Sequence, residues 1–362
     1  MDLSDSLPVT KSSRRSTRVK ARRMLVSVLA GLLAIFFLCF AGFIYNTVAA
    51  TRVARTHPVP GTFYKVDGRR MHMNCTGVGT PTIILESGIG DDWLIWQAVQ
   101  PELSKVTRIC SYDRFGLGWS SPDFGPRDAV TIAAQLHRLF DVAHISGPLL
   151  PMGHSGGGLY NRALTATYPQ NIVGLVLIDA TSSKLFETIP NAVETATQRR
   201  TRHYEAFRRA LEEGIGWTRL TGGCGPDVPL RLKRLADLDA AEECRPVYET
   251  SSLGERDEMQ RSAEEVANLP CCKVVPTLII SQDPDRQQPG WGAQDMADRP
   301  IWGTLQEQMK SLSPCSRRII AMSSGHHVMI DRPDVIVRNV TDLLQHLRGH
   351  GECPYNGETE TQ

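Results

Sequence analysis

A chain of 362 residues, 41% hydrophobic and 22% charged, can hold one large α/β domain with an insertion and a short appendage. Its formal net charge of +1 excludes the basic balance expected of a nucleic-acid binder. The charge is uneven, however. Residues 1–23 carry Lys11, Arg14, Arg15, Arg18, Lys20, Arg22 and Arg23 against only Asp2 and Asp5, which leaves the remainder mildly acidic.

Residues 24–50 follow this basic tail, and within them Leu25 to Tyr45 carries no charge. About 20 apolar residues in a helix span the hydrocarbon core of a bilayer. With the basic block on its N-terminal side, the span predicts a single-pass signal-anchor with the N-terminus cytoplasmic and the rest extracytoplasmic, in the periplasm or outside the cell. The alternative is a cleaved signal peptide and a secreted protein, since Val48-Ala49-Ala50 has the small residues of a cleavage site. Against it stand the length of the apolar run and of the basic segment. Eight cysteines (Cys75, Cys110, Cys224, Cys244, Cys271, Cys272, Cys315 and Cys353) lie beyond the span, where disulfides are permitted, and Cys39 lies inside it. For Cys75 and Cys110 buried free thiols are as good a reading as a bridge, and no cysteine spacing resembles a zinc site.

The main domain is placed at residues 57–348. It opens with a Pro-containing linker from His57 and a hairpin, Phe63–Val66 and Arg70–Cys75, turning at Asp67-Gly68. Compact apolar runs follow at Thr82–Glu86, Thr107–Tyr112, Leu149–Gly153, Val173–Ile178, Thr277–Ser281 and Arg318–Met322. Their continuous apolar character suits strands covered on both faces, and they alternate with helical stretches such as Ala129–Val142 and Gly157–Tyr168. This predicts an α/β fold with a doubly wound, mostly parallel sheet. The alternation stops over about residues 184–270, a charged, helix-prone stretch expected to form a helical cap. Residues 349–362 are polar and expected to be disordered.

Gly153-His154-Ser155-Gly156-Gly157 comes straight after an apolar strand and opens a helix. A serine nucleophile needs such a sharp turn, with glycines where the turn leaves no room for side chains. The N–H of Gly156 then faces the developing oxyanion, and a second donor, Ile89, is offered by the turn Glu86-Ser87-Gly88-Ile89-Gly90. The general base is His326, on the loop after the last predicted strand, with His327 as its immediate competitor. The acid is sought between them among Asp283 and Asp285, after Pro276–Ser281, and Asp179, after Val173–Ile178.

Over roughly residues 61–347 the sequence resembles the α/β-hydrolase superfamily. Asp113-Arg114-Phe115-Gly116-Leu117-Gly118-Trp119-Ser120 looks like its D-R-x-G-x-G-x-S turn, and Gly325-His326 through Pro333 is similar to its G-H-x₆-P ending. The run from Pro276 matches the family's strand before the acid, with Gln282 where a Gly is usual. The resemblance implies Asp285 as the acid, His326 as the base, Ile89 and Gly156 as oxyanion donors, and a lid built by the insertion. The first oxyanion motif departs from the usual His-Gly, reading Ser87-Gly88. A serine at position 155 argues against the family's epoxide hydrolases and haloalkane dehalogenases, which need a carboxylate nucleophile. The expected activity is hydrolysis of a carboxylic ester or related acyl bond in a small molecule, through an acyl-enzyme and with no metal or organic cofactor. A peptidase or amidase of the same fold and a catalytically silent tethered binding module are the alternatives. Trp93, Trp96, Trp291 and Trp302 are candidates for an apolar acyl pocket, ordinary packing being the rival reading for each.

Overall fold

The structure is a computed structural model and describes residues 11–189, 192–224, 233–270, 272, 275–286, 293–349, 353–355 and 358–362. Helix α1 runs from Lys11 to Thr56, so the basic residues and the apolar run form one continuous helix. Its stretch Val19–Val53 is long and apolar enough to cross a membrane, and its most apolar window is not covered by the rest of the chain.

Strands β1 (Thr62–Val66) and β2 (Arg69–Thr76) form the expected hairpin. Its two turn residues, Asp67 and Gly68, have φ of 50° and 79°, the left-handed pair that a tight hairpin requires. Strands β3 (Thr82–Glu86), β4 (Ile109–Tyr112), β5 (Leu149–His154), β6 (Leu175–Ile178) and β7 (Thr277–Gln282) are buried along their whole length. Strand β8 (Ser316–Ala321) is half-buried at two positions. With β9 (Thr359–Thr361) they make a nine-stranded sheet in the order β1-β2-β4-β3-β5-β6-β7-β8-β9, parallel from β4 to β9. The parallel part starts at β3, adds β4 on one side, and then crosses back to build β5 to β9 on the other, as a doubly wound sheet must. The order reverses between β3 and β5, and it is beyond the carboxyl ends of strands at such a point that open α/β sheets bind their ligands.

Helices cover both faces. Ordered by the chain, α2 (Gln100–Leu103), α3 (Ala129–Ala143) and α4 (Gly157–Thr167) come first. The insertion holds α5 (Leu185–Thr188), α6 (Ala196–Gly214), α7 (Trp217–Leu220), α8 (Lys233–Glu243), α9 (Pro246–Asp257) and α10 (Met259–Asn268). After it come α11 (Ala293–Gln308), α12 (Val328–Asp331) and α13 (Pro333–Gly349). One core layer joins the sheet to α3 and α4 through Ile132, Leu136, Leu139, Leu159 and Ala163. The other joins it to α13 through Ile336, Val340, Leu343 and Leu344. Each fully buried aliphatic side chain of this kind contributes about 1.5–3 kcal/mol.

Three disulfides are present among the described residues: Cys75–Cys110, Cys224–Cys244 and Cys315–Cys353. The first joins directly opposed residues of β2 and β4. Cys39 is free, and Cys271 lies outside the described residues. The C-terminal segment corrects one expectation. Instead of a wholly disordered tail, part of it forms β9 on the open edge of β8. That edge offers unpaired backbone groups, the Cys315–Cys353 bridge holds the segment beside it, and Arg317 pairs with Glu358 and Glu360 across the seam.

Candidate active site

Ser155 sits between β5 and α4 with φ of 51°, a left-handed conformation uncommon outside glycine. The turn is held from both sides: the Ser155 N–H donates to the Ile178 carbonyl, and its own carbonyl accepts from Gly158 and Thr181. The glycines are sterically required. A Cβ on Gly153 would lie 2.6 Å from the Gly157 carbonyl oxygen, and one on Gly157 would lie 2.5 Å from that of Ser87. The backbone strain is thus fixed by packing, as functional turns require.

The β3 turn presses against this elbow. A Cβ on Gly88 would approach the Ser155 Cβ to 3.3 Å, and one on Gly156 would meet the Ile89 side chain at 2.6 Å. Among the described residues, neither the Ile89 nor the Gly156 N–H donates to a protein acceptor. Two such donors at one place are what a tetrahedral oxyanion needs.

Arg114 holds the β3 turn. The D-R turn is organised by the Asp113 carboxylate, which accepts from the Trp93 and Trp119 N–H groups and from His72 Nδ1. Arg114, 3% exposed, then donates to the Glu86 carboxylate at 2.6 Å and to the carbonyls of Ser87 at 2.9 Å and Gly88 at 2.6 Å. A trans peptide carries its C=O and N–H in opposite directions. Anchoring the Gly88 carbonyl therefore turns the Ile89 N–H the other way. The cap completes the clasp: Glu255 on α9 accepts from Arg114 Nε at 2.7 Å, from Arg127 Nη2 at 2.7 Å and from the Gly90 N–H at 3.0 Å. Burial raises the Glu255 pKa, but Arg114 and Arg127 outweigh it and hold the carboxyl below its usual range. Glu86 differs: burial pushes it up to about 7 against the pull of Arg114 and of the Tyr112 hydroxyl. Ser87, which stands where the family often has histidine, ties the turn together, accepting from Trp96 Nε1 and donating to the Asp92 carbonyl.

His326 follows β8, and its Nδ1 lies 2.6 Å from Asp179 Oδ2. Asp179 is fully buried at the end of β6, where its φ of 39° bends the chain. Its other oxygen, Oδ1, accepts from Trp302 Nε1 at 3.0 Å and from the Gln282 N–H at 3.1 Å. Trp302 also packs edge-on against the His326 ring at 5.8 Å. Burial lowers the His326 pKa, yet the hydrogen bond and charge of Asp179 prevail and raise it above 6.5.

The expected acid, Asp285, is not the partner of His326. It lies exposed in the loop after β7, its N–H donating to Asp283 Oδ1. Asp283 is buried but committed to the loop, its other carboxylate oxygen accepting from the Ser323 N–H at 2.8 Å. The physical reason is lateral: β6 and β7 are neighbours, and the buried Gln282 at the end of β7 turns its N–H to Asp179. Of the three aspartates the sequence offers, Asp179 is the one that meets His326, and its bond from Gln282 is a backbone one that a glycine there would make equally.

The second histidine behaves differently. His327 is pushed down to about 4 by burial and by His154. His154, beside the serine, is also held low by burial, and its Nε2 lies 3.0 Å from the His326 carbonyl. Of the four tryptophans expected at an acyl pocket, Trp93 and Trp96 are buried in a 3₁₀ turn against the sheet, Trp302 donates to Asp179, and Trp291 lies outside the described residues.

The sequence model described as "Alpha/beta hydrolase family" matches residues 83–339. Among similar proteins is "Probable transporter efuK" of Hormonema carpetanum, 27% identical over 74% of this chain but only 40% of its own length. Among solved structures, the Cif epoxide hydrolase from Acinetobacter nosocomialis superposes with a TM-score of 0.60 at 15% identity, covering 83% of this chain and 96% of its own. A thermophilic esterase from Thermogutta terrifontis gives 0.56 at 18% identity, covering 80% and 99%. At such identities these likenesses establish the fold, and their differing activities leave the chemistry to the site. The family match spans well over half of the sequence, and this chain belongs to the alpha/beta hydrolase family.

Proposed function

We propose that this hydrolase cleaves a carboxylic ester, with Ser155 as nucleophile, His326 as general base and Asp179, in place of Asp285, as the acid that orients it. The observation that carries the reading is the His326–Asp179 contact at 2.6 Å on a carboxylate with two further donors. A carboxylate so held fixes the imidazole with its proton on Nδ1 and leaves Nε2 to take the serine proton. Ser155 Oγ then attacks the acyl carbon, and the oxyanion is received by the Ile89 and Gly156 N–H groups at the start of α4. His326 returns the proton to the leaving alcohol, and the acyl-enzyme is released by water that the same histidine deprotonates. The carboxylate that an epoxide hydrolase would need at position 155 is absent from the sequence.

We further read α1 as an uncleaved anchor with a cytoplasmic N-terminus and the catalytic domain on the far side. The basic flank and the disulfides support this placement. Labelling with a fluorophosphonate tests the nucleophile. The wild-type chain should label, and Ser155→Ala should lose the label and most turnover of p-nitrophenyl esters, keeping roughly 10³–10⁴-fold over water. Undiminished labelling of Ser155→Ala would remove this serine from the mechanism.

A further inference from the structure

The anchor helix does not leave the domain on a free linker; it is built into the cap. Gly42 packs backbone to backbone on the turn between α6 and α7, where a Cβ would stand 2.0 Å from the Ile215 carbonyl oxygen. Gly216, with φ of 72°, returns the contact, its Cβ position lying 2.7 Å from the Gly42 oxygen. Asn46, 8% exposed, donates to the carbonyls of Glu213 at 2.8 Å and Cys244 at 3.0 Å. It also accepts from Arg219 Nε at 2.8 Å. These bonds satisfy carbonyls at the ends of cap helices and fix the rotation of the cap about α1.

Depth follows from position along the helix. The apolar run ends at Tyr45, before the polar pair Asn46-Thr47, so Gly42 lies about 5 Å inside its end at ~1.5 Å per residue. Whatever touches Gly42 is therefore at the edge of the hydrocarbon, and what touches it is the α6–α7 turn.

The same cap segment carries an apolar face left exposed by the described residues. On α6, Ala206 and Glu213 mark the packed side, while Tyr204, Phe207 and Leu211 point away from it, 63%, 67% and 54% exposed. The helix turn beyond adds Trp217 and Leu220, 55% and 61% exposed. A spacing of three and four residues places the α6 side chains in one stripe, and Trp217 and Leu220 stand next to the helix that enters the bilayer. An interfacial helix is built in this way, with large apolar and aromatic side chains on one face and charges on the other.

We propose that the α6–α7 face of the cap lies in the membrane interface, so that the bilayer itself is its partner and the enzyme works lying on the membrane. This rests on the reading of α1 as an anchor. Continuity decides the occupant: Gly216, which directly precedes Trp217, packs on Gly42 of α1 within the apolar run that enters the bilayer.

The test uses the full chain reconstituted in phosphatidylcholine vesicles, with bromine-labelled phosphatidylcholine as the quencher. The Trp217 signal is obtained as the difference between wild type and Trp217→Phe, with fluorophosphonate labelling of both as the check that the domain is folded. Expected is retention in the membrane after alkaline carbonate and about twofold quenching of the Trp217 signal by bromine placed high in the acyl chain. Bromine near the bilayer centre should quench less, and aqueous acrylamide should have little effect. A retained chain whose Trp217 is quenched by acrylamide and not by bromolipid would overturn the docking face while leaving the anchor standing. Protection from both quenchers would assign the face to a second copy and also overturn it. Release by carbonate would overturn the anchor and the docking face together, leaving the Ser155 reading untouched.

Discussion

The sheet and the cap are stabilised in opposite ways. In the sheet, β3 to β7 are buried throughout and mostly apolar, and at the carboxyl end of β6 Asp179 is met by the backbone of the neighbouring strand β7. The cap is thin in apolar core and rich in buried charge. Burial, followed by Glu249, pushes Glu213 up to about 8, and burial with Asp92 raises Glu242 well above its ordinary range. One junction between the two regions is Glu255, whose carboxylate serves Arg114, Arg127 and the Gly90 N–H of the β3 turn together. The sheet carries Ser155, His326 and Asp179, and the cap reaches the β3 turn through the Glu255 carboxylate. On the proposed mechanism, this arrangement ties the oxyanion geometry to the position of the cap.

This comparison can be broken at its strongest point first. Removing the base should outweigh any change in the cap: His326→Ala is expected to lower kcat/KM by roughly 10⁴-fold or more, since triad members act as a unit. His327→Ala should cost less than about tenfold, and equal losses in the two variants would leave the base unassigned to His326. Steady-state turnover of a p-nitrophenyl ester reads both.

Next comes the cap. Glu255→Gln keeps the shape but removes the charge facing two buried arginines, and breaking such a pair costs about 3–5 kcal/mol of stability. If the oxyanion turn depends on it, kcat should fall about 10–100-fold with KM little changed, below the full loss of a donor. Thermal unfolding separates the two effects. A variant that is less stable but turns over normally would confine Glu255 to a structural role.

The mildest effect is on pH. Because Asp179 raises the pKa of His326, the acid limb of kcat/KM should lie above pH 6.5. Activity should be full above this limb and fall as pH drops through it, since the protonated imidazole cannot accept the serine proton. A limb near 4, where His327 titrates, would point to the wrong histidine.

What was legible in the sequence follows the same division. Strands buried on both faces write themselves as apolar runs, and β3, β5, β6 and β7 fell within a residue or two of their expected places. Ser155 and His326 stood out because a glycine-bound turn and a loop after a strand are local features. Which aspartate reaches His326 is a question of lateral strand order, and no local pattern contains it. The resemblance pointed to Asp285, whereas the end of β6 delivers Asp179. Glu255 was illegible for a stronger reason, since it meets Arg114 across 141 residues of chain. Strand β9 went unseen because its place depends on an open sheet edge and a disulfide rather than on apolar side chains.

The most direct measurement compares kcat/KM of Asp179→Asn with that of Asp285→Asn, both at pH 8. With Asp179 orienting His326, Asp179→Asn should lose roughly 10³–10⁴-fold while Asp285→Asn stays within about threefold of wild type. A severe loss in Asp285→Asn together with a mild one in Asp179→Asn would contradict the account.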